Sequence, residues 1–234
     1  MVRLLLIVTD FKELKRISFM SDPLTRHVYQ AQENQDIKHV VVLLHGYGAN
    51  GEDLLDLGRA WAPMMPNTVF VSPDAPFPCD YGTQGFQWFS LQDYTPELME
   101  KGAAEAYPIL SDFIDTLREE YKVEKVSLVG FSQGTMMALY YGLRHGEFVN
   151  GILGYSGALM GATLKVLDTQ KKLPVQLVHG DADEVVPVQA TEMAYNQLKQ
   201  LGCRVEKTIV PDLEHGIDQI GLQVGGQFLE RVSK

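Results

Sequence analysis

Ser132 stands between two glycines in Gly130-Phe131-Ser132-Gln133-Gly134, just after an apolar run and just before a helical pattern. An alcohol becomes a useful nucleophile only when a base removes its proton, and the base works best when an acid fixes its orientation. A sharp strand-to-helix turn would hold the hydroxyl clear of the chain, and glycines on both sides leave room for the backbone to pass itself. The helix that follows would aim its positive end at developing negative charge. The blander reading of the same residues is a glycine-rich turn in which the serine caps a helix. The strand and helix patterns on either side favour the nucleophile.

In an elbow of this kind the acid, and then the histidine, follow the serine along the chain. That order sorts the six histidines. His27, His39 and His45 precede Ser132, His145 comes too early to follow an acid loop, and His179 closes an apolar run ahead of an acidic one. His215, in PDLEHGIDQIG, is left as the base. For the acid, VHGDADEVVP offers Asp181, Asp183 and Glu184 past a strand end. Asp183 is preferred, and Asp181 is the fallback, with a turn or cap as its alternative role. Asp212 reads as a local cap near His215. Two backbone N–H groups should receive the oxyanion of an acyl-transfer intermediate. One belongs to Gln133; the other is assigned to Tyr47 in LLHGYGANGED, where glycines let the chain turn inward. His45 in that segment reads as a hydrogen-bonded structural group.

These side chains need a frame, and the chain supplies alternating elements. Continuous apolar runs at residues 40–44, 68–71, 126–129, 151–155, 175–179 and 205–210 predict strands covered on both faces. Helical spacing appears at 97–121, 132–145, 188–201 and 217–232, with Pro108 expected to kink the first of these or mark its start. The alternation predicts an α/β fold: a three-layer sandwich around a mostly parallel central sheet. Ligands in such sheets bind beyond the carboxyl ends of the strands, where each of the segments named above falls.

Bulk properties narrow the function further. A net charge of −10 leaves no basic face for nucleic acid. Cys79 and Cys203 have no zinc-type spacing and read as reduced thiols, so neither a metal nor another cofactor is expected. No apolar stretch approaches the ~20 residues that span a bilayer, and the leading run at residues 4–8 is shorter than the ~7–15 residues of a signal-peptide core, so a cytoplasmic protein without integral membrane association is expected. Residues 1–19 read as an N-terminal extension, because MSDPLTRHVYQA from Met20 resembles a start followed by a strand. Residues 20–234 then form a single domain.

LLHGYGANGEDL, GFSQGTMMAL, HGDADEVVP and EHGI, taken in order, resemble the phospholipase/carboxylesterase family of α/β-hydrolases, which includes acyl-protein thioesterases and small bacterial carboxylesterases. The likeness runs from about Val40 to the C-terminus. It implies an α/β-hydrolase sandwich, a triad of Ser132, Asp183 and His215, and an oxyanion hole at the N–H groups of Tyr47 and Gln133. Thr135 stands where Gly or Ala is frequent and Tyr47 where Leu is frequent, so pocket width is open to change. Phe86, Trp88 and Phe89 in GFQWFSLQDY match an element near the family's acyl side, though they also suit a loop anchor. The implied activity is hydrolysis of a carboxylic ester or thioester through an acyl-enzyme, on a small acyl ester, an S-acylated protein or a lysophospholipid, by a monomer or weak homodimer. Competing readings are a lysophospholipase-type lipid hydrolase and a non-catalytic hydrolase-fold binder.

Overall fold

The continuous apolar runs lie side by side in a seven-stranded sheet in the computed structural model, which describes residues 24–31, 36–82, 84–93, 95–160 and 172–234. The extension assigned to residues 1–19 lies outside the described residues. In chain order the strands are β1 (Arg26–Gln30), β2 (His39–Leu44), β3 (Thr68–Pro73), a small hairpin of β4 (Phe77–Pro78) and β5 (Phe86–Gln87), then β6 (Val126–Phe131), β7 (Val149–Tyr155), β8 (Pro174–Gly180) and β9 (Arg204–Val210). The main sheet runs β1-β3-β2-β6-β7-β8-β9, with β1 antiparallel to β3 and every other pair parallel. From β2 the chain steps outward to β3, then crosses back and builds the rest of the sheet on the opposite side. That reversal puts a crevice at the carboxyl ends of β2 and β6, the usual ligand position in open α/β sheets.

Among the described residues five α-helices cover the faces: α1 (Glu52–Trp61), α2 (Pro96–Tyr121), α3 (Gln133–Gly142), α4 (Gln189–Gln200) and α5 (Gln219–Val232). Residues of β2 alternate between the two layers. Val40, Val42 and Leu44 pack with α2, α3 and α4, while Val41 and Leu43 pack with α1 and α5. Every residue of α3 is buried, as a helix apolar on all sides must be. The indole N–H of Trp61 donates to the carbonyl of Leu222 at 2.8 Å, tying α1 to α5 across one face.

The structure departs from the sequence reading in three places. Helix α1 was not anticipated, and neither was the pairing of β1 with β3. Pro108 does not begin α2. That helix starts at Pro96, capped by the side chain of Thr95, which accepts from Leu98 N–H, and it continues through Pro108 to a left-handed cap at Lys122. Pro108 and Ala104 both lie on the exposed side, so the carbonyl that loses its N–H partner can turn to water.

Phe113 is wholly buried between α2 and the sheet. Phe113→Ala is expected to lower stability by about 3–5 kcal/mol in urea unfolding, with the sheet's secondary-structure signal retained in the absence of denaturant.

Candidate active site

Ser132 joins β6 to α3 with φ 53° and ψ −116°, a conformation that a residue with a Cβ adopts only when its surroundings impose it. Its surroundings do. The Ser132 N–H donates to the carbonyl of Tyr155 on β7 at 2.9 Å, and the Thr135 hydroxyl donates to the same oxygen at 2.7 Å. The neighbouring glycines are required by contact: a Cβ on Gly134 would sit 1.8 Å from the carbonyl oxygen of Leu44, and one on Gly130 would sit 2.3 Å from Thr135 N. Ser132 occupies the cap position of α3, yet its side chain makes no capping hydrogen bond. The turn is built for something other than closing a helix end.

Two further loops bring Asp183 and His215 together. Asp183 follows β8 and His215 follows β9, and His215 Nδ1 lies 2.7 Å from Asp183 Oδ2. The other carboxylate oxygen accepts from the N–H groups of Val185 at 2.9 Å and Val186 at 2.8 Å. Burial pushes the Asp183 carboxyl upward, but the hydrogen bond from His215, the Val186 N–H, the imidazole's positive charge and the Val185 N–H together hold it below its ordinary value. Asp181 is spent elsewhere, accepting from the N–H of Asp212 at 2.7 Å to join the two loops. Asp212 itself has φ 56° and turns the chain toward His215.

A cavity of about 320 Å³ opens beside these groups, lined by Ser132, Gln133, His215 and Tyr47 on its polar side. Ala49, Leu91, Phe131, Met136, Val185 and Val186 form the apolar side. The Phe131 ring rests against His215 with centroids 4.8 Å apart. Gly46 passes close enough that an added Cβ would lie 3.3 Å from Ser132 Cβ, so the loop after β2 abuts the elbow directly. The Tyr47 phenol accepts from Tyr81 N–H at 3.3 Å; burial first, and the neighbouring Cys79 thiol second, push it up to about 12, so it stays neutral. A larger cavity of about 440 Å³ between the hairpin and α2 contains Asp80, Asp93 and Lys101 but neither Ser132 nor His215. Size does not mark the reactive site here.

Of the two roles that the sequence allowed for the aromatic segment, a substrate wall and a loop anchor, the geometry favours the anchor. Trp88 and Phe89 are buried and do not border the cavity at Ser132. The side-chain amide of Gln133 grips their backbone, accepting from Trp88 N–H at 2.8 Å and donating to the Phe89 carbonyl at 2.7 Å. The Trp88 indole donates to the His45 carbonyl at 3.0 Å. Phe86 is half-buried and pairs its backbone with Gly48 and Ala49, bracing the loop that carries Tyr47. The ring of His45 is also structural: Nδ1 donates to the Gly46 carbonyl and Nε2 accepts from Ala75 N–H. Burial pushes its pKa down, consistent with a neutral ring that accepts at one nitrogen. Thr135 is absent from the cavity wall, so of the two unusual residues only Tyr47 reaches the pocket. Leu91, Met136, Val185 and Val186 were missed. Met136 carried a signal, lying one helical turn after Ser132 on the same face.

Residues 27–233 match the family described as phospholipase/carboxylesterase. The chain belongs to this family. Among relatives, Esterase YpfH of Escherichia coli is 28% identical over 204 residues, covering 84% of each chain. Acyl-protein thioesterase 1 of Emericella nidulans is 27% identical over 213 residues, covering 82% of this chain and 89% of its own. The crystal structure of esterase PE8 superposes with a TM-score of 0.83 at 37% identity, covering 89% of this chain and 99% of that one. The fold is accordingly that of the α/β-hydrolases, and within this phospholipase/carboxylesterase member no described helix is long and apolar enough to cross a membrane.

Because the Asp183 carboxyl is held below its ordinary value, its contribution to stability is present above the usual carboxylate range and is lost as pH falls through the lowered folded value. Asp183→Asn is therefore expected to flatten the acid limb of stability against pH. Urea midpoints between pH 7 and pH 2.5 would show it; an unchanged acid limb would mean that the carboxylate is not held as described.

Proposed function

We propose that the protein is a serine hydrolase that cleaves carboxylic esters or thioesters through an acyl-enzyme on Ser132. The observation that carries the reading is the meeting of a strained serine and a carboxylate-bound imidazole on one apolar cavity. In this reading the Ser132 hydroxyl attacks the carbonyl carbon while His215 Nε2 takes its proton. The backbone N–H groups of Gln133 and Tyr47 receive the oxyanion, and the N-terminus of α3 adds its positive end. Collapse of the intermediate breaks the acyl–oxygen or acyl–sulfur bond, and the leaving alcohol or thiol takes the proton from His215. Water then attacks the acyl-Ser132 carbonyl with His215 again as base, releasing the carboxylic acid and restoring the serine. Asp183 keeps the proton of neutral His215 on Nδ1, leaving Nε2 free to accept, and its negative charge stabilises the imidazolium formed at each step.

The apolar wall suits the acyl half of the substrate, since each buried CH₂ contributes about 0.8 kcal/mol. Relatives named acyl-protein thioesterase support a thioester, as on an S-acylated protein, beside small carboxylic esters. The family description supports a lysophospholipid as a third candidate.

Ser132→Ala is expected to reduce turnover of a p-nitrophenyl ester by a factor on the order of 10⁴–10⁶ while leaving the thermal unfolding transition in place. A fluorophosphonate should label the parent at Ser132 and leave the variant unlabelled. Asp183→Asn should impair turnover severely and Asp181→Asn mildly. Parent-like turnover without Ser132, or the reverse ranking of the two aspartates, would overturn the assignment.

A further inference from the structure

His179 is the penultimate residue of β8, its ring is buried, and the mechanism above gives it nothing to do. Its Nε2 lies 2.8 Å from the carbonyl oxygen of Val186 and 3.1 Å from Asp183 Oδ2, the oxygen that also meets His215. Both neighbours only accept, so the proton sits on Nε2. On the other side of the ring, Nδ1 lies 2.7 Å from the hydroxyl of Thr191 on α4. A buried histidine needs partners of some kind, and Thr191 with Val186 would satisfy it alone. The approach to Asp183 is what exceeds that need.

We infer that His179 is a positioning residue for the reaction, a buried imidazole that holds the Asp183 carboxylate in the single orientation that faces His215. It acts at two points. Directly, Nε2 lies 3.1 Å from Oδ2 and packs against that side of the carboxylate, restricting its rotation. Indirectly, it fixes the Val186 carbonyl, and the N–H of the same residue donates to Asp183 Oδ1 at 2.8 Å. The Thr191 hydroxyl lies 2.7 Å from Nδ1 and fixes the opposite edge of the ring, so the imidazole is held from both sides.

The inference rests on the acyl-enzyme reading, because orientation of Asp183 matters to turnover only if Asp183 orients the base. The test is a double-mutant cycle on a p-nitrophenyl ester, with kcat and KM measured separately and circular dichroism melts on every variant. His179→Phe should lower kcat by about 10- to 100-fold, the range seen when a supporting group behind a functional side chain is removed, and KM should stay within about two-fold. His179→Gln, which returns an N–H near the Nε2 position, should recover most of that loss. In the Asp183→Asn background, His179→Phe should change kcat by less than about two-fold, because the carboxylate it positions is gone. Equal losses on both backgrounds would mean a general structural role, and parent-like kcat in His179→Phe would mean none; either overturns the inference. Should His179→Phe fail to fold, Thr191→Val carries the test. It should lower kcat several-fold in the parent and leave the Asp183→Asn rate unchanged, and an unchanged parent rate would overturn the inference. The underlying reading fails separately, through Ser132→Ala retaining activity or Asp183→Asn matching the parent. Either result removes the ground for this inference too.

Discussion

The site depends on a bend in the backbone at Ser132 that the chain would not adopt by itself. A non-glycine residue at φ 53° and ψ −116° is strained by something like 1–3 kcal/mol. Such a conformation persists only where its neighbours leave no alternative. Here the Tyr155 carbonyl receives two hydrogen bonds from the elbow, and Gly134 sits so close to Leu44 that no side chain fits between β2 and α3. Complete burial of α3 makes this constraint rigid, because relaxing the elbow would mean moving a helix that touches both central strands. The hydroxyl, the first N–H groups of α3 and the loop after β2 are thereby placed together by packing, before any substrate arrives.

Asp183 and His215 are fixed by hydrogen bonds rather than by strain. Asp183 receives two backbone N–H groups on one oxygen and His215 on the other, which suits a carboxylate that must stay ionised while buried. The two loops are stitched to each other by Asp181 and the N–H of Asp212, so the base cannot drift from the acid without breaking a second contact. Gln133 links the halves. Its backbone opens α3, while its side chain holds Trp88 and Phe89 and thus the segment that delivers Leu91 to the cavity. One residue therefore couples the reactive turn to the wall that would face a substrate.

Much of this frame was readable from the chain because its strands are buried on both faces and so appear as unbroken apolar runs. The order serine, acid, histidine reduced six histidines to one, and the carboxylate favoured on position, Asp183, is the one that sits against His215. Other parts were hidden for physical reasons. Helix α1 buries Leu54, Leu55, Gly58 and Trp61 on one face, but its cap position is Gly51, which offers no side-chain hydrogen bond, so its start signal is faint. β1 is an edge strand with no fully buried residue, which leaves no apolar run to see. Pro108 looked like a kink or a start because sequence does not reveal that Ala104, whose carbonyl it leaves without a partner, lies on the exposed side. The aromatics of GFQWFSLQDY looked like a substrate wall because composition cannot distinguish a ring facing a cavity from one facing the core. Trp88 goes inward because its indole N–H and its backbone N–H both find buried acceptors, His45 and Gln133.

The contrast between centre and wall bears on how substrate choice can vary in such a molecule. Around Ser132 the determinants are backbone groups, glycine contacts and hydrogen bonds that share atoms, so altering one disturbs several others. The apolar wall is assembled from single side chains, with Leu91 from the loop after the hairpin, Met136 from α3, and Val185 and Val186 from the turn after Asp183. Leu91 carries no hydrogen bond of the reactive groups through its side chain, and Val185 is 65% exposed. Replacing them changes volume and apolar area at about 25 cal/mol per Å² while leaving the elbow's constraints in place. Val185 and Val186 also hold Asp183 through their N–H groups, and Val186 is the more constrained because its carbonyl meets His179 too. Its side chain can vary only within shapes that preserve that turn. Leu91 can therefore change without disturbing the elbow, whereas changes that approach Val185, Val186 and Gln133 reach main-chain groups that hold Asp183 and the turn at Ser132.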